Sequence, residues 1–350
     1  MAIVYGLRTK DASARITLDT GSTPILSLKM LQVTCNGSFE QTFSVPEIKS
    51  DSFVVVDRLA AMTDPTTNWS PQAWYSTGQL TIRRGFDQTW QVLVLSNGGA
   101  PFLASGQYGI RSVNNSYQSQ IDSVNRVLNV MYQGSFTFPS WANRDQPFLN
   151  GYDFPTPINT YERPLVFVNG PGHLMLSNFY VIGQPGNWTG WRVAKYMHPD
   201  FGPVWLEAMQ VDWFVGSYAA SPLPAGAYGV TVSDSVGVDI FTSTNNIVRL
   251  NSQPTANSFV VAGSPIVGAG YYASSCQMPW TNNAADYFLA NAVLSPTYVP
   301  GAGSASPWRA TIAGFLNGRR DMLQAYTEND SGINPVDPNG RTLFAARPTL

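Results

Sequence analysis

The chain is poor in charge. Asp, Glu, Lys and Arg make up 12% of its 350 residues, about half of the roughly 25% that is usual in soluble proteins. A surface with so few charges is poorly solvated in a free monomer, so we expect partners to cover much of it. The net charge is −2, and Lys and Arg form no run or stripe. Nucleic-acid binding therefore has no electrostatic support.

Cysteine, histidine and long apolar runs are also scarce. The two cysteines, Cys35 and Cys276, lie far apart, which excludes a disulfide framework and predicts two buried thiols. The two histidines, His173 and His198, lack metal-ligand spacing, so we predict neither a metal nor a cofactor. No apolar run is long enough for a membrane span, and no signal peptide precedes the first predicted strand. These absences predict a protein made in a reducing cytoplasm, without membrane insertion.

Catalytic patterns are missing as well. A GxSxG elbow does not occur, so a serine triad is not predicted. Cleavage of a glycan would need two carboxylates at a defined separation. Glu207 with Asp212, and Asp145 with Asp153, are the nearest pairs in the chain. The sequence does not place either pair at that separation, and turn formation explains most of these Asp residues, so we predict no catalytic residue.

Turns and short β-type runs are abundant. The chain holds 30 Gly and 25 Pro, and β-branched and aromatic residues recur between them, as at 53–56, 165–168 and 259–261. This pattern is typical of many short strands. We predict an all-β protein with little helix, the one helical segment lying at 283–294.

One pattern occurs three times without a gap, at residues 5–20, 108–123 and 228–243. Each copy opens with Tyr-Gly and an apolar residue, and continues with a turn-forming Asp or Asn, an apolar residue and a small hydroxyl residue. The spacing predicts a β-hairpin whose Asp bonds its own backbone two residues on. The positions are Tyr5, Asp11, Leu18 and Thr20; Tyr108, Asn114, Ile121 and Ser123; and Tyr228, Asp234, Phe241 and Ser243.

The repeat predicts three tandem β-sandwich-like domains, at 1–107, 108–227 and 228–330, because strands at this spacing favour sandwiches of about a hundred residues. The extension 331–350 resembles one more turn and strand, either donated to a neighbour or frayed. The repeated glycines, Gly6, Gly109 and Gly229, are expected where a side chain would collide with the sheet or where φ is positive.

Aromatic residues in the irregular stretches are the remaining functional candidates. Such rings stack on sugars or anchor interfaces when exposed, and fill the ends of a sandwich when buried. The three alternatives are core filling, a subunit interface and glycan contact. The candidate residues, with two from the extension, are Trp69, Trp74, Tyr75, Phe148, Tyr152, Phe154, Trp188, Trp191, Trp280, Leu343 and Phe344.

The repeated motif resembles a module of bacteriophage tail-fibre and tail-tip proteins. That module commonly reads YGL, a DASG-type turn, then a strand ending in Asp-Ser or Asp-Thr, and segment 5–20 matches it except that Ala14 replaces the turn glycine. The resemblance implies a structural virion component that assembles at the distal tail or baseplate and supports host attachment. It implies other tail proteins as partners, a homo-oligomer with a trimer favoured, and a host receptor or glycan as a further partner.

Two readings from other classes stay open. The first is a polysaccharide depolymerase carried by a phage particle, which release of reducing sugar from host polysaccharide would detect. The second is a bacterial surface adhesin, against which the lack of a signal peptide argues.

Overall fold

The fold is described from a computed structural model. It covers residues 8–10, 16–19, 25–50, 52–58, 72–83, 89–96, 108–113, 118–140, 149–195, 207–223, 225–226, 228–250, 255–256, 260–268, 271–281, 283–294, 311–316, 319–329, 342–343 and 345–348. Strands make up nearly all the regular structure, and every pairing between them is antiparallel. The prediction of an all-β protein is confirmed.

Each copy of the repeated motif forms a two-stranded hairpin, as the spacing predicts. The strands are β1 (Arg8–Lys10) with β2 (Ile16–Asp19), β9 (Gly109–Val113) with β10 (Gln118–Asp122), and β18 (Thr231–Ser233) with β19 (Asp239–Thr242). We call them hairpins 1, 2 and 3.

Six strands from the first third of the chain, together with β11, form two small sheets. Layer 1 has the strand order β4-β7-β6, and layer 2 has the order β11-β3-β8-β5. The strands are β3 (Leu26–Thr34), β4 (Glu40–Ser44), β5 (Ser52–Arg58), β6 (Gln72–Ser76), β7 (Gln79–Arg83), β8 (Thr89–Ser96) and β11 (Arg126–Val127).

Two larger sheets follow, with a separate strand pair. Layer 3 has the order β12-β17-β14-β24-β28-β20, layer 4 has the order β13-β16-β15-β25-β26-β23-β22, and β21 pairs β27. The strands are β12 (Asn129–Phe138), β13 (Leu149–Ile158), β14 (Leu165–Asn169), β15 (Met175–Gln184), β16 (Asn187–Lys195), β17 (Met209–Ser217), β20 (Val248–Leu250), β21 (Thr255–Ala256), β22 (Val260–Gly268), β23 (Tyr271–Pro279), β24 (Tyr287–Leu289), β25 (Thr311–Leu316), β26 (Arg319–Asn329), β27 (Thr342–Leu343) and β28 (Ala345–Pro348).

Three apolar clusters separate the four layers. Cluster I lies between layers 1 and 2 and includes Val33, Leu80, Ile82, Trp90, Val92 and Val94. Cluster II lies between layers 2 and 3 and includes Ile25, Phe53, Leu95, Leu128, Phe167, Phe214 and Val248. Cluster III lies between layers 3 and 4 and includes Val166, Val168, Trp188, Trp191, Trp213 and Phe315.

Strands of the inner layers read as continuous apolar runs because both of their faces are buried. In β14, Leu165 and Phe167 point into cluster II, whereas Val166 and Val168 point into cluster III. Alternate side chains of a strand face opposite sides of the sheet, so a strand between two cores needs an apolar residue at every position.

The prediction of three separate sandwiches is wrong. Strands from 108–227 and from 228–330 alternate within layers 3 and 4, and β11 from the second predicted domain completes layer 2. The extension 331–350 is neither donated nor frayed over β28, which lies between β24 and β20 inside layer 3. Periodicity identifies a strand, but it carries no information about which distant strand will pair with it.

The helix predicted at 283–294 is mostly absent. A single turn, α1 (Ala290–Val293), follows β24, which pairs with both β14 and β28. Pairing on both edges of β24 holds this part of the segment extended. Tertiary pairing therefore overrides the local helical pattern.

Candidate interaction surface

The small hydroxyl residue of the motif closes hairpins 2 and 3. The backbone N–H of Ser123 donates to the carbonyl oxygen of Tyr108 (2.8 Å), and the N–H of Tyr108 donates to Ser123 Oγ (3.1 Å). In hairpin 3, Ser243 makes the same two bonds to Val230, at 2.8 and 2.9 Å. The repeated hydroxyl therefore satisfies a backbone donor at the open end of hairpins 2 and 3.

The hairpins differ in register. Hairpins 1 and 3 pair equivalent residues, Arg8 with Asp19 and Thr231 with Thr242, and both have a bulge one residue further on. Hairpin 2 pairs Gly109 with Asp122 and has no bulge, which displaces its strands by two residues relative to the other copies. A shift of two preserves which side chains share a face, because side chains alternate along a strand.

The predicted Asp turn is confirmed in hairpin 3. Asp234 Oδ1 accepts hydrogen bonds from the backbone N–H groups of Val236 (3.0 Å) and Val238 (2.8 Å). Gly237 completes the turn with a φ of 84°, which favours glycine. The equivalent Asp11 and Asn114 lie outside the described residues.

The prediction for the repeated glycines is confirmed in two copies. A Cβ on Gly109 would overlap the carbonyl oxygen of Ile121, and a Cβ on Gly229 would overlap Ser243 Oγ. Gly6 lies outside the described residues. At these positions glycine permits the close approach of the second strand of the hairpin.

Hairpins 2 and 3 share a small core made of equivalent residues. Ile121 and Phe241 occupy the same motif position, Val127 and Ile247 occupy another, and all four are buried together. Val232 packs against this cluster from the first strand of hairpin 3. The two hairpins are therefore packed against each other by the side chains that the repeat duplicates.

The repeat extends to the position that follows Val127 and Ile247, and this position lies in the core of the protein. Ile25, Leu128 and Val248 each lie twenty residues after the motif Tyr, and all three are fully buried in cluster II. The N–H of Leu128 donates to the oxygen of Ile25, and the N–H of Val248 donates to the oxygen of Leu128, both at 2.9 Å. The sequence shows an apolar segment after each hairpin, but it does not show that the three segments meet.

Among the described residues, most of the large apolar side chains that are exposed lie on or beside hairpins 2 and 3. Tyr228 is fully exposed and Tyr108 is 74% exposed, although their position is repeated in every copy. Side chains of this size usually lie in a core or an interface. We call the set the hairpin surface, and it consists of Tyr108, Val124, Tyr228, Val230, Val236 and Val238.

Four of the aromatic candidates lie in the protein core. Trp188 and Trp191 are fully buried in cluster III, and Phe154 and Trp280 are 7% exposed beside them. Tyr152 is partly buried at the edge of the same cluster, 4.6 Å from the ring of Trp213. The four buried residues correspond to the core-filling alternative.

The other candidates are scattered. Trp74 and Tyr75 lie on β6 and are partly buried, and Tyr75 packs against clusters I and II. Leu343 lies on β27 and pairs with Thr255. Trp69, Phe148 and Phe344 lie outside the described residues. The structure does not bring the candidates together into one site.

Two of the carboxylates considered for glycan cleavage have side-chain partners. Asp153 forms an ion pair with Arg192 (2.7 Å), and the side-chain amide of Gln210 donates to Asp212 (2.8 Å). Glu207 is exposed, and its carbonyl oxygen accepts a bond from Lys195 (2.6 Å). The pKa of Lys195 is lowered, because the effect of burial outweighs the opposing effect of the nearby Glu207. Asp145 and His198 lie outside the described residues, and the ring of His173 is partly buried.

An ion pair with a buried carboxylate anchors β28 near the end of the chain. Asp286 is fully buried, and its carboxylate accepts bonds from Arg347 of β28 and from the hydroxyl of Thr281. Arg320 lies nearby, where its guanidinium donates to Asn169 Oδ1 (2.7 Å) and burial lowers its pKa. Removal of Arg347, whose side chain is 31% exposed, would take this cation away from the buried Asp286 carboxylate at a cost of up to about 3–5 kcal/mol, so β28 contributes to stability.

Within the part of the chain described, no three His, Cys, Asp or Glu side chains lie close enough together to hold a metal ion. The helix that is described there is too short to cross a membrane. Comparison with known proteins finds no family model, no curated protein and no solved structure that matches this chain. The hairpin surface is thus the candidate functional site that the described residues favour.

Proposed function

We propose that this chain is a non-enzymatic structural component of a bacteriophage tail, a tail-fibre or baseplate protein that supports host attachment. The observation that carries the proposal is the hairpin surface. Its Tyr108 and Tyr228 are exposed, whereas the motif positions of Ile121 and Phe241 are buried. A residue type repeated at an exposed position is explained by contact with a partner better than by packing within the chain.

The architecture is also consistent with a part that carries load in an assembly. Four sheets stack around three apolar clusters, and the three repeated segments are joined near cluster II. The low charge of the chain fits a surface that neighbours cover. The partners that this proposal requires are other tail proteins, which would contact the hairpin surface in the virion.

Electron microscopy of particles labelled with an antibody against the chain tests the assignment directly. We expect label at the distal end of the tail. Label on the head, or particles that lack the protein, would overturn the proposal.

Site-specific crosslinking tests the surface separately. A photoreactive aromatic residue is introduced at Tyr228, and a matched variant carries it at Tyr161, which is also exposed but lies outside the hairpins. We expect crosslinks to another virion protein from position 228 in assembled particles, and fewer from position 161. Equal yields from both positions would remove the hairpin surface from the proposal.

A further inference from the structure

Edge strands expose unpaired backbone groups, and most edges of this fold are protected. In layer 4, the edge strand β13 contains Pro155 and Pro157 and loses its register after Asp153, and the opposite edge β22 contains Pro265 and a second break in register. Proline cannot donate to a neighbouring strand, and bulges turn an edge away from partners. Both edges of this layer are therefore poor templates for another chain.

Apart from β12, the edges of layers 1 to 3 are short or charged. β11, β20, β4 and β6 have two to five residues each. β5 is longer, but it ends in Asp57 and Arg58. Short length and charge are the other two means by which natural sheets avoid pairing at their edges.

The edge strand β12 lacks these protections from Tyr132 to Phe138, because its one break in register lies before that segment, between Val130 and Tyr132. It pairs with β17 along one side, and on its other side Val130 bonds to Asn246. From 132 to 138, no strand among the described residues pairs with this second side. The segment reads YQGSFTF, without proline or charge, and Gln133, Ser135 and Thr137 are exposed. Among the described edge strands, this segment is the longest that contains neither proline nor a charged residue.

The two faces of β12 suit a copy of the same strand. Tyr132, Phe136 and Phe138 pack on cluster III, while Gln133, Ser135 and Thr137 form an uncharged polar row on the opposite face. Antiparallel pairing around Ser135 places Gln133 opposite Thr137, Tyr132 opposite Phe138, and Gly134 opposite Phe136. Polar residues then face polar residues, and an aromatic ring covers the glycine.

We propose that β12 binds β12 of a second copy of this chain, antiparallel and centred on Ser135, so that layer 3 continues across a two-fold axis. The contact is isologous, since the same strand serves both partners and the pairing closes at two copies. This inference is independent of the proposed function. With no charge in the paired segment, the association is expected to be insensitive to salt.

Two double variants at the same positions test the register. Gln133→Lys with Thr137→Lys places like charges opposite each other in the dimer. Gln133→Glu with Thr137→Lys places opposite charges there. Both leave the apolar face of β12 unchanged, and circular dichroism melts check that both fold. The full chain is examined by analytical ultracentrifugation over a range of concentrations and at low and high salt.

The wild-type chain is expected to form a dimer at all salt concentrations. The Lys–Lys variant is expected to raise the dissociation constant at least about tenfold, because two like-charged cross-strand pairs oppose association. The Glu–Lys variant is expected to remain dimeric and to weaken as salt is added. A wild-type monomer, a trimer that neither variant affects, or equal behaviour of the two variants would each overturn the proposal.

Discussion

The hairpin and the segment that follows it are neighbours in every repeat copy, yet they differ in surroundings. In the third copy, Tyr228, Val236 and Val238 are exposed, whereas Ile247 and Val248 are fully buried. The hairpin register also differs between copies, while the three buried residues Ile25, Leu128 and Val248 join one cluster. The conserved geometry of the repeat therefore lies after the hairpin, where the three copies meet.

Removal of residues 345–350 is the most severe test of the buried segments in this comparison. The deletion takes out β28, leaves β20 without its partner and removes Arg347 from buried Asp286. We expect loss of cooperative unfolding, because these losses together approach the roughly 5–15 kcal/mol by which a typical domain is stable.

A circular dichroism melt measures the effect, with removal of residues 349–350 alone as the control. A shortened chain that melts cooperatively at the wild-type temperature would show that β28 is dispensable for stability. It would also contradict the view that the buried segments hold the fold together.

Leu128→Ala sharpens the comparison at one repeated position. Leu128 is fully buried in cluster II, so truncation should lower the free energy of unfolding by about 3 kcal/mol. Val236→Ala, on the exposed turn of hairpin 3, should change it by less than about 0.5 kcal/mol. Urea titration measures both. Similar changes in the free energy of unfolding for the two variants would remove the distinction between the hairpin and the buried segment that follows it.

Gly109→Val examines the hairpin itself. The new side chain would meet the backbone of Ile121 and Asp122, so hairpin 2 must open or shift, at a cost of about 2 kcal/mol. Tyr108→Val, at the exposed neighbouring position, is the matched control and should have little effect. A Gly109→Val melt that coincides with the control would mean that the glycine has no packing role.

Tyr218→Phe has the smallest expected effect at neutral pH. The Tyr218 hydroxyl is buried in cluster II and has no hydrogen-bond partner among the described residues, so its removal should be neutral or stabilising by about 1 kcal/mol.

The same variant should behave differently at alkaline pH. Burial, and then the nearby Glu162, raise the pKa of Tyr218 well above its usual value. Above a pH of about 10 the unfolded chain loses this proton while the folded chain keeps it, so stability falls with pH. The Phe variant lacks this loss. If the melting temperatures of the two proteins fall equally as the pH is raised above about 10, Tyr218 does not contribute to the loss of stability.

Local structure was predictable where a single segment determines it. The Asp234 turn depends on a side chain and backbone four residues apart, and the runs at 53–56 and 165–168 are strands because both faces are buried. Layer order was not predictable, because the partner of a strand lies far away in sequence. β14 pairs with β24 through Phe167 and Leu289, and nothing in either segment specifies the other.

The aromatic candidates show the same limit at the level of single residues. Trp188 and Trp191 flank Thr189 and Gly190, which resembles a loop in sequence, yet all four lie inside β16. A Cβ on Gly190 would lie 2.7 Å from the carbonyl oxygen of Tyr152, so this glycine permits two backbones to approach and does not form a turn. The exposed hairpin surface was missed because burial, unlike strand periodicity, depends on the whole fold.

Cluster II also constrains the order of events on the ribosome. Phe53, Val55 and Leu95 contribute to it early, but Leu289 and Ala346 are among the residues that complete it. Leu95 and Ala346 are 251 residues apart (346 − 95), and at about 5–20 residues per second their synthesis is separated by roughly 10–50 s. During that interval the part of cluster II that these last residues cover remains an exposed apolar surface on the nascent chain. Slower translation should therefore increase aggregation of this protein, and early release of a truncated product should yield an insoluble fragment.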